Sequence, residues 1–451
     1  MKRLFLALGV VSLGCGGQAM DPEAWATPVD EEYAPFAEEQ SEVTAGRAYA
    51  PGTLDTTFGP AGTGMTRMSI RPDDAGGFFA LDLVGKKIVA AGSGLGGLGG
   101  STFKVARLLS NGTPDPAFGG GVVVRTQWGS STRDYAYARA VGHQPSGRVV
   151  AIGSFEHDPR RDVALARYHT DGTLDTSFGA DGKPLLDLGG AEVIEGGLVR
   201  ADGSILAVGS RDGQLLVARF TLNGAVDTSF AGGAGYFTAA LGDSSTAASV
   251  AIDRGGRIVV AGSASVGGQL DVLLLRLSRN GALDTSFGAG GHVRVGDPAV
   301  DERAVAIAVM SNGKIVVAGD AGSGSRDFLV RRFRANGAPD PTFGAGGVVT
   351  APITGGDDQA ESMALMGGGL ILVVGNSFVG GSHTPVAARY TAAGALDSSF
   401  GTGGVVPVDL GELGILHTVR MDSRGMALLG GGDEGASPGP GTYAVVARMC
   451  M

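Results

Sequence analysis

A seven-fold recurrence constrains this chain before any composition is counted. An Asp is followed three residues later by a Phe at Asp55/Phe58, Asp115/Phe118, Asp175/Phe178, Asp227/Phe230, Asp284/Phe287, Asp340/Phe343 and Asp397/Phe400. The phrase is cleanest at residues 281–291, G-A-L-D-T-S-F-G-A-G-G. Successive aspartates lie 60, 60, 52, 57, 56 and 57 residues apart. Self-similarity at such a period marks a repeat architecture, in which each unit buries its apolar face only against neighbouring units.

One unit reads as four short strands. After the phrase at Asp284, HVRVG (292–296), AVAIAVM (304–310), KIVVAG (314–319) and FLVRRFRA (328–335) are apolar or alternating runs, punctuated by loops and by turns such as Ser311-Asn312-Gly313 and Asn336-Gly337. Runs of this length with tight N-G and X-G turns predict antiparallel meanders. RIVVAGSA (257–264) and RVVAIGSF (148–155) repeat the third run, and LLVARFTLNG (215–224) repeats the fourth. Period-2 alternation in the fourth run puts an Arg outward in every copy: Arg107, Arg167, Arg219, Arg276, Arg331, Arg389 and Arg448. The 80 glycines fall mostly at turns between valine-rich runs, which reads as all-β rather than as disorder.

The expected fold is therefore all-β, a seven-bladed β-propeller of four-stranded antiparallel blades over residues 49–451. The chain ends support a closed ring. Strands near Leu416–Met421, Met426–Leu429 and Tyr443–Met449 need a fourth partner, and the segment Gly64–Ile70 can supply it. Closure by N- and C-terminal strands would leave no open sheet edge. An open solenoid would instead want distinct capping repeats, and the sequence has none. The D-x-S/T-F-G-x-G-G phrase and the strand K-I-V-V-A-G resemble the delta-60 repeat family of bacterial secreted and surface proteins, across residues 51–451. That resemblance implies an extracytoplasmic repeat protein and carries no activity with it.

The N-terminus reads as an address. In MKRLFLALGVVSLGC, Lys2 and Arg3 precede an apolar stretch too short to span a bilayer. Ser12-Leu13-Gly14-Cys15 resembles the bacterial lipoprotein signal, which implies lipidation at Cys15 and an outer-membrane or cell-surface location. The alternative is an ordinary signal peptide cut near Ala19, with plain secretion. Residues 16–48 follow as a solvated acidic tether: eight acids, Pro22, Pro28 and Pro35, and no cation before Arg47. Attachment to a membrane is thus expected through a lipid anchor only, on a monomer.

The net charge of −10 is concentrated in that tether, and the repeats carry no basic stripe, so nucleic acid is not an expected partner. No cofactor and no metal site are expected. Each phrase offers one Asp where calcium loops converge several oxygens, so the Asp reads as a turn cap and the Phe as an insert between sheets. The six histidines, His143, His157, His169, His292, His383 and His417, show no metal-ligand spacing. Gly322-Ser323-Gly324-Ser325 lies in a glycine-serine loop rather than at a strand-to-helix elbow, so no catalytic residue emerges.

Variable loops on a repeated scaffold are where binding residues concentrate. Two loop sets differ from copy to copy, and propeller geometry would place both on one face. The richest group combines Trp128, Arg133, Asp134 and Tyr135 with Phe155, Glu156, His157, Asp158, Arg160 and Arg161. Aromatics beside charges of both signs suit a protein or glycan contact; a solvated loop cluster is the plain alternative. The expected function is a non-catalytic envelope binding or scaffold module. A secreted propeller hydrolase or lyase, with its site at the central mouth, is the alternative.

Overall fold

The computed structural model describes residues 50–69, 76–95, 100–129, 131, 133–157, 160–411, 414–433 and 443–451. Cys15, the tether and Asp158 lie outside the described residues. Strand β1 spans Met65–Ser69. Then follow β2 (Gly76–Val84), β3 (Lys87–Leu95), β4 (Ser101–Leu108), β5 (Val124–Thr126), β6 (Asp134–His143), β7 (Val149–His157), β8 (Arg160–Tyr168) and β9 (Leu185–Leu186). The middle of the chain forms β10 (Glu192–Val199), β11 (Ile205–Arg211), β12 (Gln214–Phe220), β13 (Tyr236–Ala239), β14 (Ser244–Ile252), β15 (Ile258–Val266), β16 (Gln269–Leu277) and β17 (His292–Val295). The rest are β18 (Glu302–Val309), β19 (Ile315–Ala321), β20 (Asp327–Phe333), β21 (Val348–Ala351), β22 (Asp357–Leu365), β23 (Ile371–Val379), β24 (Ser382–Tyr390), β25 (Val405–Pro407), β26 (Gly414–Met421), β27 (Ala427–Asp433) and β28 (Tyr443–Met449).

The fold is all-β and propeller-like. From β6 to β25 the strands form antiparallel four-stranded meanders in strict chain order. An eight-stranded sheet holds the remainder: β2-β3-β4-β5 is one run, and β26-β27-β28 is joined by β1, whose Met65 pairs with Ala447 and Thr66 with Val446. Among the described residues the two runs pair as strands where Gly76 and Gly77 meet Asp433 and Gly432.

The first strand of every meander carries a bulge at one place. In β6 the register steps from Ala138 to Ala140, in β10 from Ile194 to Gly196, and in β2 from Phe78 to Ala80; β14, β18, β22 and β26 do the same. The glycine ending each V-A-G-type run is what permits it. Gly153 and Gly209 sit opposite the bulge, where a Cβ would collide with the carbonyls of Tyr137 and Val193.

Buried clusters lie between successive meanders. Phe178 packs with Ile152 and Leu216 between the sheets of β6–β9 and β10–β13, and Phe230 with Val208 and Val260 between the next two. Phe118 joins Val105 and Ala151, Phe343 joins Val330 and Val373, and Phe400 joins Val374 and Leu429 in the corresponding clusters. A further cluster joins the ends of the chain, with Phe58, Met68, Leu428 and Val446 against Phe78 and Ile88. The first strands also lie against one another in sequence, from β2 on β6 through to β26 on β2.

The repeated phrase is the fastening between units. Asp284 Oδ1 accepts the Ser286 amide at 3.2 Å and its hydroxyl at 2.6 Å, while Oδ2 accepts Arg276 Nε at 2.8 Å. The Arg276 guanidinium lies 4.5 Å from the centroid of the fully buried Phe287 ring and donates to Ala335 O of the following unit at 2.6 Å. Equivalent Arg–Asp bonds join Arg107 to Asp115, Arg167 to Asp175, Arg219 to Asp227, Arg332 to Asp340, Arg389 to Asp397 and Arg448 to Asp55. The stacking repeats as well, with Arg107 4.7 Å from Phe118, Arg332 4.6 Å from Phe343 and Arg389 4.8 Å from Phe400.

This corrects the alternation reading, in which these arginines face outward. They are 2–9% exposed, because a cation paired with Asp and stacked on Phe is stable between sheets. In one copy the residue also differs: Arg332, not Arg331, holds Asp340, and Arg331 instead forms two bonds to Glu302, at 2.7 and 2.6 Å.

Candidate loop-face site

Register places the two variable loop sets at one end of the sheets. Asp134, His157 and Arg160 are cross-strand neighbours, so the loop entering β6 and the β7–β8 hairpin share an edge. Asp134 is buried and ties the two together: its Oδ2 accepts the Ser131 amide at 2.7 Å, and its Oδ1 lies 2.5 Å from His157 Nδ1. His157, Arg160 and Arg161 are exposed around it, Arg133 is exposed on the entering loop, and Glu156 lies 3.5 Å from Arg161 Nε.

The phrase phenylalanines take no part in any surface. Phe58, Phe118, Phe178, Phe230, Phe287, Phe343 and Phe400 are all fully buried, so no ligand can touch them and their role is packing alone.

Two aromatics of the loop group are packing residues too. Trp128 is 4% exposed and Phe155 7%. Trp128 meets Phe103 edge-on at 4.6 Å, neighbours Phe155 at 6.4 Å, and donates from Nε1 to Lys183 O at 2.6 Å. With its ring in the core and its one donor satisfied, Trp128 has nothing left to offer a partner. Phe155 is removed from the surface for the same reason. Both are corrections to the expected loop contact.

The aromatic surface lies instead along β6. Alternate residues of Asp134-Tyr135-Ala136-Tyr137-Ala138-Arg139 face opposite sides: the alanines are buried, while Tyr135, Tyr137 and Arg139 are half-buried. The two tyrosine rings are parallel to within 7°, with centroids 6.4 Å apart. Arg139 extends the strip, its guanidinium 5.9 Å from the Tyr137 ring and 5.3 Å from that of Phe79 on β2. Its Nε also lies 3.8 Å from Glu195 on β10, and Phe79 in turn meets the His417 ring of β26 at 4.4 Å. Burial, then the negative charge of Glu156, pushes the Tyr137 hydroxyl above its ordinary pKa, so it remains a hydrogen-bond donor at neutral pH.

Phe79, Arg139, Glu195 and His417 are the residues skipped at their strands' bulges. A bulge re-aims a side chain, and here it brings four strands of three sheets into one constellation. Sequence reading missed this group because the residues are scattered over some 340 positions. The alternation of small and large residues in Ala136 to Arg139 is the one local signal that could have found part of it. Elsewhere on the same end, Asp162, Asp187 and Glu192 bring one oxygen each to within 4.8 Å of one another.

Six stretches of the chain, residues 86–118, 144–178, 200–230, 256–287, 311–343 and 369–400, match the family model described as "Domain of unknown function (DUF5122) beta-propeller". Each match ends on the Phe of a phrase, and together they make this a chain of propeller repeats. No curated protein matches it. Among solved structures it is similar to the RRP9 WD40 repeats, at 11% identity over 88% of this chain and 99% of that one, with a TM-score of 0.48. It is also similar to the polysaccharide lyase Uly1, at 12% identity over 83% and 90% with a TM-score of 0.46. Sqt1 of Chaetomium thermophilum gives 13% identity over 88% and 98%, with a TM-score of 0.44.

Proposed function

We propose that this protein is a non-catalytic binding module of the cell envelope, whose ligand is a glycan strand lying on Tyr135, Tyr137 and Arg139. The observation that carries the reading is the stacked tyrosine pair continued by Arg139. A flat aromatic strip edged by a guanidinium and by carboxylates suits a polar, ring-shaped ligand that stacks on one face and hydrogen-bonds at its rim. A folded protein partner would want an apolar anchor in a dry pocket. The large apolar side chains exposed among the described residues, such as Val122, Leu222 and Val379, are spread around the molecule instead.

The scaffold of this reading is a ring of seven blades, in which β26, β27 and β28 take β1 as their fourth strand. The β1–β28 register, the Arg448–Asp55 pair and the cluster joining Phe58 to Leu428 support it. Export, with lipidation at Cys15 and residues 16–48 as the tether, supports an envelope location on sequence grounds.

The test is capture of envelope glycan and protein fractions on the immobilised full chain, beside a Tyr135→Ala/Tyr137→Ala variant. The reading expects a glycan retained by the parent and lost by the variant. Equal retention by both columns would contradict it, and so would a retained protein in place of a glycan.

A further inference from the structure

The carboxylates of Asp162 on β8, Asp187 between β9 and β10, and Glu192 at the start of β10 meet where two successive sheets adjoin. Acids often cluster without a ligand. Glu192 makes this group different. Its side chain is fully buried, and neither of its oxygens has a hydrogen-bond partner. The nearest cation is Arg211 at the end of β11, whose Nε is 3.5 Å from Oε1 and itself makes no hydrogen bond. Arg211 is held elsewhere, by a 2.6 Å bond from Nη2 to Gly189 O.

Other sheets show what this position ordinarily requires. Glu302 and Asp358, like Glu192, lie two residues before the bulge of a first strand, and both are buried. Glu302 takes two bonds from Arg331. Asp358 accepts the Ile353 and Thr354 amides at 2.8 and 3.2 Å and the Thr354 hydroxyl at 3.0 Å. Among these three, Glu192 alone accepts no hydrogen bond of ordinary geometry. A buried charge left this way is expensive, and a cation held by the neighbouring carboxylates would compensate it.

We infer that Asp162, Asp187 and Glu192 form a calcium site that fastens the sheet of β6–β9 to the sheet of β10–β13. The donors are all oxygen, with no His or Cys, which selects a hard cation. Calcium binds oxygens at about 2.3–2.6 Å, so two ligands of one ion stand at most about 5 Å apart, in line with the spacing here. Magnesium, with bonds of about 2.0–2.1 Å, fits that spread less well. The remaining coordination positions would be taken by water.

The electrostatics agree. Burial, with Asp187 and Asp162 adding to it, pushes Glu192 up to about 7. Arg211 and the Leu188 amide oppose this, the amide from outside hydrogen-bonding geometry. Asp162 is also raised, by burial and then by Asp187, with Arg160 opposing. An acid whose folded pKa is raised stabilises the fold fully below its unfolded value. That contribution is lost as pH rises through the folded value, here between about pH 4.5 and 7. A bound dication would remove this penalty.

The test is calorimetric titration of the chelator-treated full chain with CaCl2 at pH 8, with thermal unfolding followed in parallel. Binding with a Kd on the order of 10⁻⁴ to 10⁻³ M is expected, together with a calcium-dependent rise in Tm. Asp187 is exposed, so Asp187→Asn should fold normally and weaken binding at least about ten-fold. Glu192→Gln should raise Tm in the absence of calcium, by removing the buried charge, and abolish the response to calcium. MgCl2 should give a smaller shift than CaCl2. Absence of both heat and Tm shift up to about 10 mM CaCl2 would overturn the inference, as would a calcium response kept in full by Glu192→Gln.

Discussion

Phe287 is fully buried, beneath the Arg276 guanidinium and against the turn of the following unit at Gly337. Its removal would empty a space walled by two sheets. Phe287→Ala is therefore expected to destabilise by about 3–5 kcal/mol in denaturant unfolding, and Phe118, Phe343 and Phe400, equally buried under their own arginines, should behave alike. Trp128→Ala should cost a similar amount, because its ring is core, whereas Tyr135→Ala should stay within about 1 kcal/mol of the parent. A Trp128→Ala variant of unchanged stability would refute its placement in the core. The phrase aspartates set a pH dependence. At Asp55, Asp175, Asp227 and Asp397 burial opposes ionisation, but hydrogen bonds from the residue two places on and the paired Arg outweigh it and hold each carboxyl below 3.8. At Asp284 the Ser286 hydroxyl is the largest influence, in the same direction. These groups stabilise the fold above the unfolded carboxylate pKa and lose that contribution as pH falls through their lower folded values. Cooperative acid unfolding starting below about pH 4 is expected, and Asp284→Asn together with Asp227→Asn should flatten its pH dependence.

At the scale of strands and sheets, the same fastening recurs between internal units and between the chain ends. Arg276–Asp284 lies within one continuous stretch of chain, whereas Arg448–Asp55 joins residues 393 apart in sequence. If the ring is closed as proposed, Arg448→Met and Arg276→Met should cost alike, each about 3–5 kcal/mol, since each leaves a largely buried Asp without its cation. A loss of less than about 0.5 kcal/mol for Arg448→Met alone would mean that the ends fray and the clasp contributes nothing. The strand pattern was legible in the sequence, because period-2 runs, N-G turns and the spaced phrase are local signals. The direction of the arginines was not. Period 2 separates the two faces of a strand, but in this fold both faces of an inner sheet are covered, so "outward" from one neighbour is inward to the next. Arg331 and Arg332 show the ambiguity most plainly, since adjacent arginines on opposite faces of β20 are both buried, each by its own acid.

For the whole molecule, the packing of successive sheets gathers sequence-distant residues at one end. Asp134, Glu156, His157 and Arg161 were readable as a group because one hairpin and one loop supply them. Phe79, Arg139, Glu195 and His417 were not, since their meeting depends on bulges whose position a single strand does not announce. Trp128 was misleading for the opposite reason: a loop tryptophan looks like a surface anchor until the neighbouring sheet folds over it. The carboxylate group at Glu192 likewise exists only once β8 and β10 adjoin.

We propose that ligand binds along β6 at the loop end of the sheets. Amide hydrogen exchange of the full chain, with and without its captured envelope glycan, tests this most directly. Slowed exchange confined to residues 133–143 and the adjoining strands β2 and β10 is the predicted result. Unchanged exchange there, or protection centred on the Asp-Phe phrases instead, would contradict it.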